Sequence, residues 1–205
     1  MPPTAGLILA GGLSRRMGGG RKCLLEVGGV PILRRVAGIL APQCAPLLLS
    51  ANGDAAELAG YGLATVPDTI PGFAGPLAGV LAGLEHLRAH HPGIAWMASI
   101  AGDGPFPPDD FVARLHAARG DAAMACAASG GRMHPVAALW PVAMAGALRD
   151  CLGGGERRVL DFVARQGAAP AEWAAGARDP FFNINTPEDL AAANASEATL
   201  TVSGS

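Results

Sequence analysis

The chain has 205 residues, half of them hydrophobic, with a formal net charge of −2 and a pI near 6.2. That length and apolar content fit one domain with a substantial core, and the balanced charge argues against a nucleic-acid-binding protein, which needs a clustered positive excess. Four scattered cysteines without a Cys-x-x-Cys pair indicate neither a zinc site nor a disulfide framework, and no apolar run of roughly 18 residues suggests a membrane span. We therefore expect a soluble, cytoplasmic protein.

Short aliphatic stretches alternate with segments of helical periodicity along most of the chain. Such alternation predicts an α/β fold: a single three-layer α/β/α domain with a mostly parallel, Rossmann-like sheet. The predicted strands are 6–9, 24–27, 46–50, 63–66, 96–101, 122–128, 136–140 and 181–184. The predicted helices are 31–40, a short one around 57–58, 77–91, 109–119, 142–152, 157–166 and a last one from 187. We expect the domain to cover residues 1–193 and the small, polar segment 194–205 to be disordered.

The N-terminal stretch, GLILAGGLSRRMGGGRK at positions 6–22, passes from a buried strand into glycines and then into three cations, Arg15, Arg16 and Lys22. Backbone N–H groups bared by glycines form a concave site for phosphate oxygens, and the cations add full charges. Lys22 is not followed by the Ser or Thr of a Walker loop, and no register of the glycines gives Gly-x-Gly-x-x-Gly. A surface loop without a ligand is the alternative, but the cations directly after a buried strand favour an anion site.

Polar side chains follow several of the predicted strands. Parallel sheets bind ligands outside the carboxyl ends of their strands, so Gly11, Asp68, Asp103 and Asn183 are expected near one cleft. Asp103, between two glycines, offers a hard oxygen ligand for a metal ion, with an ordinary turn aspartate as the alternative. Asn183 and Asn185 offer neutral oxygens for the same ion or for another polar ligand, with turn capping as the alternative.

The N-terminal string resembles the signature LAGGxSxRMGxxK of nucleotidyltransferases, and it is most similar to the molybdenum cofactor guanylyltransferase family, usually called MobA. The segments GDGPFPPD and FNINTPEDL resemble two further segments of that family. The resemblance implies that Arg16, Lys22 and Asp103 form the catalytic group, with Mg²⁺ on Asp103 and Mn²⁺ as an alternative. It also implies a guanine nucleotide held by these residues: Leu9, Ala10, Gly11, Gly12, Lys22, Ser50, Asn52, Asp68, Asp103, Arg157, Asn183 and Asn185.

This chain departs from the family pattern at three of the matched segments. Ser50 stands where an asparagine is typical, with Asn52 two residues later. Gly104 stands where a threonine is usual, and Arg21 stands where an aspartate commonly precedes the lysine. His134 belongs to a His-Pro pair that recurs in the family, and it is either structural or substrate-facing.

The resemblance implies transfer of GMP from GTP to the terminal phosphate of molybdopterin, or Mo-molybdopterin, with release of pyrophosphate. Other molybdenum cofactor biosynthesis proteins and recipient molybdoenzymes are the implied partners. An attacking phosphate monoester is already anionic near neutral pH, so the reaction needs no general base. The alternatives are a molybdopterin cytidylyltransferase, a sugar-phosphate nucleotidyltransferase and a non-catalytic GTP-binding module.

Overall fold

A computed structural model describes residues 1–11, 20–53, 56–70, 72, 75–155, 158–176 and 178–203. The strands are β1 (Thr4–Leu9), β2 (Glu26–Val27), β3 (Val30–Pro31), β4 (Leu47–Ser50), β5 (Ala64–Val66), β6 (Trp96–Ala101), β7 (Ala125–Ser129), β8 (Arg132–Pro141) and β9 (Ala169–Trp173). The α-helices are α1 (Ile32–Leu40), α2 (Pro76–His90), α3 (Phe111–Arg119), α4 (Ala145–Gly153), α5 (Val159–Arg165) and α6 (Pro187–Ser203). Short 3₁₀ helices cover Lys22–Leu24, Ala56–Tyr61 and Val142–Met144.

Seven strands form one sheet in the order β5-β4-β1-β6-β8-β7-β9, and β2 pairs with β3 in a separate hairpin. The pairs β1–β4, β1–β6, β4–β5 and β7–β9 are parallel. Strand β8 runs antiparallel to both of its neighbours. The predicted mostly parallel α/β sheet is therefore confirmed, with β8 as its reversed member.

Two hydrophobic layers cover the two faces of the sheet. Because successive side chains of a strand point to opposite faces, Ile8 packs into one layer and Leu7 into the other. The first layer contains α1, α3 and the buried Ala193 of α6, and the second contains α2, α4 and α5. Burial on both faces explains the uninterrupted aliphatic sequence of β1 and confirms the three-layer α/β/α architecture.

The predicted strand at 181–184 is wrong, because that segment is irregular in the structure. Its backbone N–H groups bond elsewhere: that of Phe181 donates to Asp179 Oδ1 at 2.9 Å, and that of Ile184 donates to the carbonyl of Asp103, also at 2.9 Å. These donors are therefore unavailable to a sheet ladder. The strand predicted at 24–27 is shorter in the structure, because Leu24 belongs to the 3₁₀ helix Lys22–Leu24 and only β2 (Glu26–Val27) is extended.

The sequence analysis missed β9, which pairs in parallel with β7 at the edge of the sheet. Its sequence, APAEW, has no β-branched residue and contains a proline, which removes a backbone donor. An edge strand tolerates this proline because only one of its sides is paired. Burial of Ala171 and Trp173, two residues apart, fixes the inward face of β9.

The expectation of disorder beyond Ala193 also differs from the structure, in which α6 continues to Ser203. Asn194 Oδ1 accepts a hydrogen bond from the backbone N–H of Gly28 at 2.9 Å. Glu197 pairs with Arg35 at 2.9 Å, with both side chains less than a third exposed. Specific polar bonds thus hold the part of α6 that follows Ala193. No helix in the described part of the chain is long and apolar enough to cross a membrane.

Candidate functional site

The carboxyl ends of β1, β4, β5 and β6 open into one cleft of about 460 Å³. Backbone bonds continue past the strand ends: the N–H of Ala10 donates to Ser50 O and that of Gly102 donates to Leu9 O, both at 2.9 Å. These bonds fix the polar residues that follow the strands. Seven of the predicted residues line this cleft: Leu9, Gly11, Ser50, Asn52, Asp68, Asp103 and Asn183.

A recess beside the cleft contains Ala10, Lys22 and Asp103. Lys22 begins a 3₁₀ helix anchored by the buried Cys23, so its side chain projects from a fixed base. Its Nζ donates to Asn185 Oδ1 at 2.6 Å and lies 3.5 Å from Asp103 Oδ2. Lys22 therefore joins the loop after β6 to the segment before α6, with its ammonium group at the edge of the cleft.

Asp103 is a largely buried carboxylate, with 22% of its side chain exposed. Burial raises its pKa above the ordinary aspartate value, and the attraction of Lys22 opposes that shift without cancelling it. Lys22 alone therefore does not offset the cost of burying the ionised carboxylate, and a further cation beside Asp103 would stabilise it. Such a carboxylate is suited to a cation.

Gly104 allows the loop after β6 to approach Asn183 closely. A Cβ atom at position 104 would lie 3.1 Å from Asn183 Oδ1 and 3.3 Å from the carbonyl oxygen of Phe182. A threonine here would require the segment around Asn183 to move outward. The glycine at position 104 therefore permits the close contact between the loop after β6 and the segment around Asn183.

Asn52 and Asp68 form a reciprocal pair in the cleft. Asn52 Nδ2 donates to Asp68 Oδ2 at 2.7 Å, and the backbone N–H of Asp68 donates to Asn52 Oδ1 at 2.9 Å. Arg21, only 8% exposed, donates from Nη2 to the carbonyl oxygen of Asn52 at 2.9 Å. The residue next to Lys22 therefore connects the recess to the Asn52–Asp68 pair.

Ser50 is 5% exposed, and its side chain lies against the first turns of α2. A Cβ atom at Gly79 would clash with Ser50 Oγ and would stand 2.7 Å from Leu9 Cδ2. The small residues at both positions permit this close approach of helix and strand. The departure from the family's asparagine at position 50 thus places a small, buried side chain against α2.

Three predicted site residues fall where the structure gives no description, and one further residue joins the site. Gly12, Arg16 and Arg157 lie outside the described residues. The structure also adds Asp189, an acid in the first turn of α6. Its Oδ2 accepts the backbone N–H groups of Asn185 at 2.8 Å and Thr186 at 2.9 Å, which holds Asn185 in place. The sequence signal for this role is the spacing of Thr186 and Asp189, typical of a capping box.

A mostly parallel sheet with glycines, a lysine and acidic groups gathered at its carboxyl edge is typical of nucleotide-binding α/β proteins. The model of one such family, described as the MobA-like NTP transferase domain, matches residues 6–169. The chain belongs to this family of nucleotidyltransferases.

Relatives extend the similarity over nearly the whole chain. The chain is 54% identical over 191 residues to a molybdenum cofactor guanylyltransferase from Bradyrhizobium sp. (strain ORS 278), covering 92% of this chain and 90% of the relative. The crystal structure of molybdopterin-guanine dinucleotide biosynthesis protein A from Archaeoglobus fulgidus is similar with a TM-score of 0.74 at 21% identity, covering 95% and 99% of the two chains. A Mycobacterium tuberculosis protein solved in complex with manganese is similar with a TM-score of 0.68 at 18% identity, covering 95% and 99%.

Proposed function

We propose that this protein transfers GMP from GTP to the terminal phosphate of molybdopterin, which forms molybdopterin guanine dinucleotide and releases pyrophosphate. The observation that carries this proposal is the 54% identity to the Bradyrhizobium guanylyltransferase over 92% of this chain. The cleft at the carboxyl edge of the sheet supports it, because the cleft offers backbone, cationic and acidic groups together.

The reaction exchanges one phosphoanhydride bond for another. An oxygen of the acceptor phosphate forms a bond to the α-phosphorus of GTP, and the bond from that phosphorus to the bridging oxygen breaks, so that pyrophosphate leaves with the electron pair. The acceptor oxygen is already anionic, so no side chain has to remove a proton. The protein's task is to hold two anions in line and to stabilise the charge that builds up as they meet.

The roles proposed for the cleft residues follow from their positions. Backbone groups at Leu9, Ala10 and Gly11 face the nucleotide, and Lys22 places its ammonium group beside the reacting phosphates. The Asn52–Asp68 pair lies on the β4–β5 side of the cleft and is suited to hydrogen bonds with the base or ribose. A phosphate contact by Arg16 and nucleotide contacts by Gly12 and Arg157 are part of the same proposal, on family resemblance.

The groups around Asp103 fit a hard divalent cation. Mg²⁺ is commonly held by only one or two carboxylates, together with substrate phosphates and waters. This fits the described residues, among which no group of three or more His, Cys, Asp or Glu could hold a metal ion. Asp103 provides the carboxylate, and Asn183 lines the same cleft with an amide oxygen. We propose Mg²⁺ here, with Mn²⁺ as an alternative; when bound, the ion neutralises charge on the transferring phosphates.

The test is an assay of nucleotide incorporation into molybdopterin with GTP, CTP, ATP and UTP in parallel, together with measurement of pyrophosphate. We expect product from GTP and little from the other three nucleotides. A preference for CTP would replace the proposal with cytidylyl transfer. GTP binding without any product, with an acceptor shown to be active in a control enzyme, would replace it with a nucleotide-binding module.

The substitution Arg21→Asp tests whether the hydrogen bond from Arg21 to the carbonyl oxygen of Asn52 helps to position the nucleotide. It removes the bond to Asn52 O and buries an acid near the phosphate site, so we expect the KM for GTP to rise about tenfold, as for loss of one charge-assisted bond, with a smaller change in kcat. Arg21→Lys keeps the charge and serves as the control. An unchanged KM for GTP in Arg21→Asp would show that this bond does not position the nucleotide.

A further inference from the structure

A second cavity, of about 140 Å³, opens beside the nucleotide cleft. Three residues line both spaces: Ala101, Val136 and Asn183. The two cavities therefore meet at Asn183, beside the loop that carries Asp103. A molecule in the second cavity would present its nearer end to the place where the nucleotide phosphates are proposed to lie.

The walls of the second cavity are mostly apolar and include flat groups. The rings of His134 and Phe181 face each other at a centroid distance of 4.7 Å, inclined by 31°. Met133, Pro135 and Pro180 complete much of the remaining surface. Flat aromatic and proline faces favour a flat ring as ligand, and the volume suits a ring system rather than a whole nucleotide.

A hydrogen-bond network holds His134 in one orientation. The buried hydroxyl of Ser129 donates to Asp179 Oδ1 at 2.8 Å, so its oxygen accepts the bond from His134 Nε2 at 2.7 Å. Ser129 has a single hydroxyl hydrogen, which makes Nε2 the protonated nitrogen of the imidazole. In the neutral ring Nδ1 is then an acceptor, matched to the ring N–H and amino groups of a nitrogen heterocycle.

Asp179 links this network to the junction of the two cavities. Its Oδ1 also accepts the backbone N–H of Phe181 at 2.9 Å, and its carbonyl oxygen accepts that of Phe182 at 3.1 Å. The segment that leads to Asn183 is thereby held against the β7–β8 hairpin. Arg132, exposed on the rim of the second cavity, adds positive charge where an anionic ligand would enter.

We propose that the second cavity is the acceptor subsite, in which a pterin-like heterocycle lies against the paired rings of His134 and Phe181 and against the apolar wall while its phosphate reaches Asn183. This inference rests on the proposed function for the identity of the acceptor. The adjoining cavities supply the geometry that in-line transfer requires, because donor and acceptor occupy separate spaces that share one boundary.

The test compares His134→Ala with His116→Ala. His116 is a matched control, because it too is partly buried, contacts a hydroxyl at 2.8 Å (Thr4 Oγ1) and packs against an aromatic ring (Trp96), but it lies away from both cavities. We expect His134→Ala to raise the KM for the acceptor about tenfold or more, as for loss of a wall and a polar contact. The KM for GTP should stay within about twofold of wild type, and His116→Ala should leave both constants near wild type.

A second pair of variants tests the same subsite if His134→Ala fails to fold. Arg132→Glu, on the rim, should weaken acceptor binding in a salt-dependent manner, whereas Arg88→Glu, an exposed charge reversal on α2, should not. Binding is measured without turnover, from the fluorescence change of a stable pterin phosphate and, separately, from GTP affinity. Loss of pterin binding in His134→Ala or Arg132→Glu, with GTP affinity retained, supports the subsite.

The two proposals fail in different ways. A wild-type protein that binds the pterin phosphate but transfers no GMP would overturn the proposed function and leave the subsite standing. A wild-type protein that transfers GMP, with variants of the second cavity that bind pterin phosphate normally and keep the wild-type KM for the acceptor, would overturn the subsite. Altered KM for GTP alone in these variants would also count against it.

Discussion

Replacing Asp103 with asparagine is expected to lower kcat/KM for GMP transfer by about 10²- to 10³-fold, comparable with loss of a preorganised charge-stabilising group. Asparagine keeps the shape of the side chain but removes the negative charge proposed to hold the divalent cation. Lys22, 3.5 Å from Asp103 Oδ2, would lose its ionic partner at the same time. The measurement is steady-state pyrophosphate release over a range of Mg²⁺ concentrations, in which the variant should need more metal for any residual rate.

The same substitution should leave the fold intact or more stable. Burial raises the pKa of Asp103, so the folded state binds this proton more tightly than the unfolded state. The contribution of this group is therefore present at low pH and is lost as the pH rises from the ordinary aspartate pKa through the raised one. Asparagine cannot ionise, and we expect the melting temperature of the variant at neutral pH to equal or exceed that of wild type.

Asp109→Asn is the matched control for this prediction, since Asp109 is an exposed aspartate in the same connection between β6 and α3. It should keep activity within about twofold of wild type, as is usual for a surface substitution away from special features. Near-normal activity of Asp103→Asn with an unchanged Mg²⁺ requirement would remove Asp103 from the proposed metal site. A large fall in melting temperature would show instead that its role is structural.

Local sequence was sufficient to predict those elements whose burial is continuous and whose ends carry turn residues. The strand predicted at 96–101 has the bounds observed for β6, because an apolar run of strand length ends in glycine and proline. β1 and α1 were similarly accessible. Their side chains pack where their own periodicity directs them, so neighbouring elements did not have to be known.

Elements that depend on distant partners could not be predicted in this way. The segment 181–184 has strand-like residues, but two of its backbone donors are taken by Asp179 and Asp103. β9 has no β-branched residue and contains a proline, and its pairing with β7 places it in the sheet. α6 beyond Ala193 is polar, and its bonds to Gly28 and Arg35 cross most of the chain. Tertiary contacts outweigh local preference at each of these places.

The candidate site also combines features that local sequence predicts with features that depend on distant contacts. The positions of Gly11, Asp68 and Asp103 followed from the rule that ligands bind at the carboxyl ends of parallel strands. The bond from Lys22 to Asn185 joins residues 163 positions apart, and no local pattern specifies it. Family resemblance named both residues for a site, whereas the structure provides their contact. The close approach of Gly79 to Ser50 likewise depends on how α2 packs on the sheet.

Lys22→Met is expected to lower kcat by about 10²- to 10³-fold, again by analogy with loss of a charge-stabilising group. Methionine keeps an unbranched apolar stem but cannot offer positive charge to the phosphates or to Asp103. If the ammonium group acts mainly in the transition state, kcat and kcat/KM should fall together, with little change in the KM for GTP. Pre-steady-state measurement of pyrophosphate formation separates this effect from slower product release.

A purely structural role for Lys22 makes a different prediction, since Lys22 Nζ also donates to Asn185 Oδ1 at 2.6 Å. Asn185→Ala breaks that bond and leaves the charge, so we expect a smaller loss of about tenfold in kcat/KM, the usual scale for one charge-assisted hydrogen bond. Equal losses in Lys22→Met and Asn185→Ala would mean that Lys22 only secures the segment before α6.

The double variant Lys22→Met/Asp103→Asn should lose much less than the product of the two single losses, because groups that stabilise the same charge are not additive. Full additivity would assign the two residues to separate tasks.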